Sequence, residues 1–289
     1  MEWIREGEVP LPRTARGPDC LRALRPVVLE DPDGTIRLWY TGSDGTTSRI
    51  LAAVRHPGEG WQALGIAIGA GAAGDSDSYG AESPCVVKSP GGYLMAYGGF
   101  DGEIGRLHMA ASEDGCRWEP LGTIIQRGAE DAGGANDPWL VTTGERWWLF
   151  YSGVSDPSGG RSSIMAAISQ SGASWDRLGR VLEPGQGERS VSHPCVIQIS
   201  RTFYAFYSSD VGGPIGAAMA TSTDGVSWSR RGMVLEPAGS GPDGACVHTP
   251  CVVRRHDRSV VMWYAGLPVG DKELGYRICS ARFPGLWVT

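Results

Sequence analysis

Five times in this 289-residue chain a proline opens an apolar, strand-like run, at Pro26, Pro84, Pro138, Pro194 and Pro250, with spacings of 58, 54, 56 and 56 residues. The runs are alike in kind: Val27-Val28, Cys85-Val86, Trp139-Leu140-Val141, Cys195-Val196 and Cys251-Val252. What precedes each proline differs every time: Arg25, Glu82-Ser83, Asn136-Asp137, Ser192-His193 and His248-Thr249. A constant frame around varied polar residues is how a repeat scaffold carries a site.

The frame extends through each repeat. Thirteen or fourteen residues after each proline a tyrosine closes an aromatic strand: Tyr40, Tyr97, Tyr151, Tyr207 and Tyr264. Small residues turn the chain into a third strand, for example Leu107–Ala111 or Ala217–Thr221. That strand ends in Ser112-Glu113-Asp114-Gly115-Cys116-Arg117-Trp118 or Ser222-Thr223-Asp224-Gly225-Val226-Ser227-Trp228. Asp-Gly is a tight-turn signal, because glycine takes positive φ without steric cost and Asp tolerates it. A fourth strand follows, as in Gly179–Glu183 and Gly232–Glu236. Four short antiparallel strands repeated at this period predict a β-propeller, and five prolines with five tyrosines predict five blades. The last repeat stops at Arg282-Phe283-Pro284-Gly285-Leu286-Trp287, without a fourth strand of its own. The N-terminus has a spare one, since Trp3–Pro10 matches Trp118–Ile125. The expectation is one all-β domain, residues 1–289: a five-bladed β-propeller with four antiparallel strands per blade, its N-terminal strand completing the last blade and hiding the unpaired edges.

Composition narrows the partners. A net charge of −6 leaves no basic footprint for nucleic acid. No apolar run approaches the ~20 residues that span a bilayer, and Met1–Glu6 carries acidic residues with no secretory apolar core. Cys85, Cys195 and Cys251, three of seven cysteines, share the position after a proline. Equivalent places in different repeats are expected to lie far apart, so these read as small buried hydrophobes, not disulfide partners. With no CxxC pair for zinc, the expected location is the cytoplasm. Oligomeric state is left open.

In a propeller the first strand of each blade lines the axis and begins at one rim, where the loops between second and third strands also turn. That rim gathers Arg25, Glu82, Asn136, Asp137, His193 and His248. Loops add Asp19, Asp75, Asp77, Tyr79, Asp131, Glu188 and Asp243, with Asp44, Phe100, Asp101, Arg106, Asp156, Arg161, Asp210 and Asp271 from the second set. A single loop Asp needs no purpose beyond hydrating the rim. Grouping two carboxylates, an arginine and two histidines in a partly enclosed place is costly without a use. Trp61, Trp118, Trp175, Trp228 and Trp287 recur with the frame and are expected to be packing.

The five-fold repeat, the Glu82-Ser83-Pro84 and Asp137-Pro138 openings, the Phe150-Tyr151-Ser152-Gly153 strand and the Ser-x-Asp-Gly-x-x-Trp turns resemble the five-bladed glycoside hydrolase superfamily. That group includes family 43 arabinanases and xylosidases, family 32 fructosidases and family 130 mannoside phosphorylases. The resemblance implies a glycoside hydrolase-like enzyme acting on a small glycoside or oligosaccharide in the central funnel. Glu82 is similar to the general acid of the family 43 Glu-x-Pro motif. Asn136-Asp137-Pro138 is similar to the family 32 Asn-Asp-Pro motif, whose Asp is the nucleophile. Such a pair protonates the leaving oxygen and attacks, or activates water at, the anomeric carbon. The chain departs from the pattern where family 43 has its base Asp, for it has Arg25, and where His193 and Thr249 replace carboxylates. Asp19 is a candidate for the missing base, and Arg25 for an anion-binding group. The expected catalytic residues are Glu82, Asp137 and His193. Arg25, Asn136, Trp139, His248, Tyr79 and Phe100 are expected to bind substrate, the three aromatics by stacking on a sugar face. No cofactor is expected; the resemblance allows a Ca²⁺ near a channel histidine, with no ligand motif for it. The alternatives are the same fold reused as a transferase, lyase or phosphorylase with His193 as base, and a non-catalytic sugar-binding propeller.

Overall fold

Each of the five prolines sits at a break in a β-ladder. The computed structural model describes residues 2–144, 146–158, 160–270 and 275–285. Pairing between the first two strands of each repeat jumps from Leu24 to Val27, Glu82 to Cys85, Asn136 to Trp139, Ser192 to Cys195 and His248 to Cys251. The skipped dipeptide is always one polar residue and its proline. Proline has no N–H to contribute to a ladder, so a bulge placed there wastes no donor. The residue before it takes a left-handed φ: 55° at Arg25, 53° at Ser83, 54° at Asp137, 53° at His193 and 53° at Thr249. None is glycine, and each such conformation costs about 1–3 kcal/mol unless its surroundings over-determine it.

Around these bulges the chain forms antiparallel meanders. The first is β2 (Arg22–Glu30), β3 (Ile36–Ser43), β4 (Ser48–Arg55) and β5 (Gln62–Ile68). The second is β6 (Gly80–Ser89), β7 (Gly92–Phe100), β8 (Gly105–Ser112) and β9 (Glu119–Ile125). The third is β10 (Gly134–Thr143), β11 (Arg146–Val154), β12 (Ser162–Ser169) and β13 (Asp176–Leu182). The fourth is β14 (Ser190–Ile199), β15 (Thr202–Asp210), β16 (Gly216–Ser222) and β17 (Ser229–Leu235). The last is β18 (Cys246–Arg254), β19 (Val260–Leu267) and β20 (Arg277–Phe283), completed by β1 (Ile4–Glu8). Strand β1 pairs antiparallel with β20, Ile4 opposite Arg282 and Glu8 opposite Cys279. Consecutive inner strands β2, β6, β10, β14 and β18 touch, and β18 touches β2. The sole helical segment among the described residues is a 3-10 turn at Gly241–Asp243.

The core follows from the aromatic second strands. Trp39, Tyr97, Phe150, Tyr151, Phe206, Tyr207 and Tyr264 are fully buried, each worth roughly 1.5–3 kcal/mol relative to exposure. The frame tryptophans close their own turns: the indole N–H groups of Trp118, Trp175 and Trp228 donate to the carbonyls of Gly115, Gly172 and Gly225 at 3.2, 3.1 and 3.1 Å. Trp287 lies outside the described residues. The turn carboxylates are structural as well, since Asp114 and Asp224 each accept from two following backbone N–H groups.

The cysteines correct one expectation. Cys85, Cys195 and Cys251 are buried and free, yet they lie close enough that Cys251 raises the thiol pKa of the other two. The position after the proline borders the axis, where equivalent places converge instead of spreading. Burial pushes the Cys85 thiol up to about 12 and Cys195 well above its ordinary value.

Candidate active site at the mouth of the axis

The strained bulges bring five pre-proline side chains to one place. Arg25, Ser83, Asp137, His193 and Thr249, with their prolines and Trp139, line a cavity of roughly 30 Å³ on the axis. The backbone N–H of Arg25 donates to Thr249 Oγ1 at 3.1 Å. Arg25 Nε lies 3.3 Å from His193 Nε2 and 3.5 Å from Asp137 Oδ1. His193 Nε2 is 3.2 Å from the same Asp137 oxygen, and Ser83 Oγ donates to it at 2.7 Å. One network thus joins all five repeats, and it supplies part of what holds five left-handed residues in place. The freed N–H groups are satisfied across repeats: Ser83 donates to Thr41 Oγ1, His193 to Ser152 Oγ and Thr249 to Ser208 Oγ, each at 2.9 Å. These hydroxyls directly follow Tyr40, Tyr151 and Tyr207, a clasp legible in the repeat but not read from it.

Residues one step further from the prolines form an outer layer at the mouth. Glu82, whose side chain is 33% exposed, pairs with the Arg25 guanidinium. Ser192 Oγ is 2.8 Å from His193 Nδ1. The His248 ring stands edge-on to His193 with centroids 4.4 Å apart. Asn136 turns aside, its amide lying against Gly105, where a Cβ would collide with it. The structure therefore brings Arg25, Glu82, Asp137, His193 and His248 together, and adds Ser83, Ser192 and Thr249.

Charge in this cluster is strongly organised. Burial alone would raise the Asp137 pKa, but His193 and Arg25, with the hydrogen bonds from His193 and Ser83, hold it well below the usual carboxylate range. Asp137 is therefore ionised near neutral pH. Burial, and then the neighbouring His193 and Arg25, push His248 well below the imidazole range, so it is neutral near pH 7. Its Nδ1 is buried and has no hydrogen-bond partner among the described residues.

The loop acids have other duties. Tyr40, Tyr97, Tyr151 and Tyr264 donate from their hydroxyls to Asp19 (2.9 Å), Asp77 (3.1 Å), Asp131 (3.2 Å) and Asp243 (2.9 Å). Glu188 serves the remaining repeat through Arg230, which bonds both Glu188 and the Tyr207 hydroxyl. Asp19 is buried and further paired with Arg13, so it is a tyrosine anchor and not the missing base. The four aspartates all stand seven residues before a proline, a second periodic signal that sequence reasoning passed over. Asp44, Asp101, Asp156 and Asp210 fold back on the N–H groups of their own loops. Asp271 lies outside the described residues.

The aromatic candidates separate into two kinds. Trp139 packs against all four hydrophobic clusters, and its indole N–H donates to the Val196 carbonyl at 2.8 Å. It plugs the axis beneath the prolines. Tyr79, 65% exposed, and Phe100 form an edge-to-face pair at 6.3 Å on the rim of the second meander. Tyr79 borders a hollow of about 430 Å³ with Asp75, Asp101 and Glu103. The donors at the axis do not suit a Ca²⁺, because the Arg25 guanidinium already lies between Glu82 and Asp137 and against His193. The same engagement makes Arg25 an internal counter-ion and leaves it poorly placed to take a substrate anion.

No family model matches the chain, and no curated protein does. Solved structures do match. BT0996, solved as a complex with RGII, superposes with a TM-score of 0.76 at 16% identity, over 98% of this protein and 92% of that one. The chain has the fold of the glycoside hydrolase propellers. The β-1,2-mannobiose phosphorylase of Listeria innocua gives a TM-score of 0.75 at 14% identity, over 98% and 97% of the two proteins. A thermostable family-43 glycoside hydrolase gives 0.72 at 15%, over 96% and 92%. Identities this low speak for the fold alone.

Proposed function

We propose that the chain is a glycosidase-like, sugar-processing enzyme built as a single five-bladed propeller that its N-terminal strand closes. The contacts of β18 with β2 and the pairing of β1 with β20 support the closed ring. The observation that carries the function is the meeting of two carboxylates from adjacent repeats on one guanidinium: Arg25 contacts both Glu82 and Asp137 at the mouth of the axis. Glu82, part exposed, handles the proton at the glycosidic oxygen. Asp137, ionised and 7% exposed, is the fixed anion; its contacts with Ser83, Arg25 and His193 all fall on Oδ1, leaving Oδ2 for the sugar carbon or its attacking water. Tyr79 and Phe100 offer a stacking face for an outlying sugar. The unpaired thiols agree with a reducing cytoplasm, and the net charge of −6 with a partner other than nucleic acid.

The test is turnover of a panel of 4-nitrophenyl and 4-methylumbelliferyl glycosides, with and without phosphate. Glu82→Gln and Asp137→Asn should each lower kcat by about 10²–10⁴. Full turnover in both variants, or none in the wild type across the panel, defeats the assignment. A histidine-based tailoring reaction is the second reading. It rests on His193, held between Ser192 and Asp137, and predicts that turnover is lost in His193→Ala.

A further inference from the structure

One cross-strand pair departs from the repeat. Near the start of each second strand, a residue lies directly opposite the last residue of the third. In the second, third and fourth meanders the pair is an aromatic and a serine: Tyr93 with Ser112, Trp147 with Ser169 and Phe203 with Ser222. In the last it is Val260 with Phe283. Tyr93 and Phe203 pack across onto the preceding meander, their ring centroids 5.9 Å from Trp39 and 5.5 Å from Trp148, and Phe283 packs on Trp3 at 5.7 Å. Each serine hydroxyl accepts the N–H of the glycine three residues on, at 2.8 Å. The first meander instead sets Ile36 opposite Arg55. It has no ring to pack there, and arginine has no acceptor for the turn.

At that place a cavity of about 320 Å³ lies between the first and last meanders. Ile36 also pairs with Glu30, which puts the cavity at the end of the sheet away from Arg25 and the mouth. Trp61 and Trp263 wall it, edge to face at 5.8 Å, and the Arg55 guanidinium stands 5.4 Å from the Trp61 ring centre. Three carboxylates line it, and each has a basic neighbour: Glu30 has Arg255 at 2.7 Å, Glu6 has Arg282 at 3.7 Å and Glu8 has Arg277 at 3.7 Å. Arg55 is the lining cation with no carboxylate partner among the described residues. We propose that this cavity binds a small aromatic carboxylate, its ring taking the place that a frame aromatic fills elsewhere and its carboxylate pairing with Arg55. A guanidinium presents two parallel N–H groups to such a group. The tryptophans offer a ring its edge-to-face and offset contacts, while the apolar walls of Val28, Val253 and Val261 leave the hydroxyls of a sugar acid without partners. The volume is at the small end of ligand cavities, about 300–1,000 Å³, so the ligand is one ring system with a short acid arm.

Calorimetric titration of the full chain with indole-3-acetate and phenylacetate tests this without any glycoside, so it succeeds or fails apart from the carbohydrate reading. At least one should bind saturably at a single site and raise the melting temperature, because it bridges two meanders of the folded state alone. The uncharged amide of the same acid should bind at least about tenfold more weakly, and Arg55→Met should cost the acid a similar factor. Ile36→Phe restores the frame ring; it should melt no earlier than wild type and lose the ligand. Glu82→Gln, at the mouth, should bind as wild type does. Thermal melts confirm that each variant is folded. Binding of neither acid, binding unchanged in Ile36→Phe or Arg55→Met, loss of binding in Glu82→Gln, or tighter binding of glucuronate than of either aromatic acid overturns the proposal.

Discussion

Ser83 Oγ donates a 2.7 Å hydrogen bond to Asp137 Oδ1 across 54 residues of sequence, and both residues hold the same left-handed φ before a proline. Each strained backbone thus presents the other's partner. The bond ends on a buried charge, where loss of a neutral donor costs about 1.5–3 kcal/mol. Ser83→Ala should lose that much in urea unfolding. A loss under about 0.5 kcal/mol would show that Asp137 is held without it.

Asp137 also sets an acid limit on stability. Its folded pKa is depressed by His193 and Arg25 against the raising effect of burial, so the stability it supplies is present above the unfolded carboxyl value of about 3.9 and is lost as pH falls below that. Asp137→Asn should be clearly less stable than wild type at pH 7, because Arg25 loses a buried counter-ion. The gap should narrow between about pH 4 and pH 2. A gap independent of pH in denaturant titrations would contradict the assignment.

The sequence made the frame legible because the fold repeats it: strand order, the N-terminal strand beside β20 and the Asp-Gly turns all follow from periodic residues. The site was legible only as a set of positions. Which side chains meet depends on the bulge, and a left-handed Asp137 or His193 has no signature beyond the proline that follows it. Sequence distance misleads where strands converge on an axis. Cys85, Cys195 and Cys251 look remote until the inner strands are brought together, and Asp19 looks free until the Tyr40 hydroxyl is seen to bond it.

Thiol chemistry should report that convergence. Cys20 and Cys116 are half-buried, whereas Cys85, Cys195, Cys246, Cys251 and Cys279 are buried. Burial pushes Cys85 and Cys279 up to about 12, so neither supplies thiolate near neutral pH. Ellman's reagent should titrate two thiols in the native protein and seven in denaturant. More than two fast native reactions would show that the axis opens in solution.

Arg5, on the N-terminal strand, pairs with the buried Asp243 at 2.7 Å, and Asp243 in turn receives the Tyr264 hydroxyl. Breaking a buried pair costs about 3–5 kcal/mol. Arg5 is 34% exposed, so screening lowers the expected cost of Arg5→Ala to about 2–3 kcal/mol. Removing residues 1–8 goes further, since it strips β20 of its outer partner as well and leaves an unpaired edge open to other chains. The truncated protein should self-associate in a concentration-dependent way and melt earlier by calorimetry. A synthetic peptide of residues 2–10 should reverse the self-association caused by truncation, by adding the missing strand; the same peptide with Arg5→Ala should bind more weakly. If truncation leaves melting and sedimentation unchanged, the N-terminal strand is not what closes the last sheet.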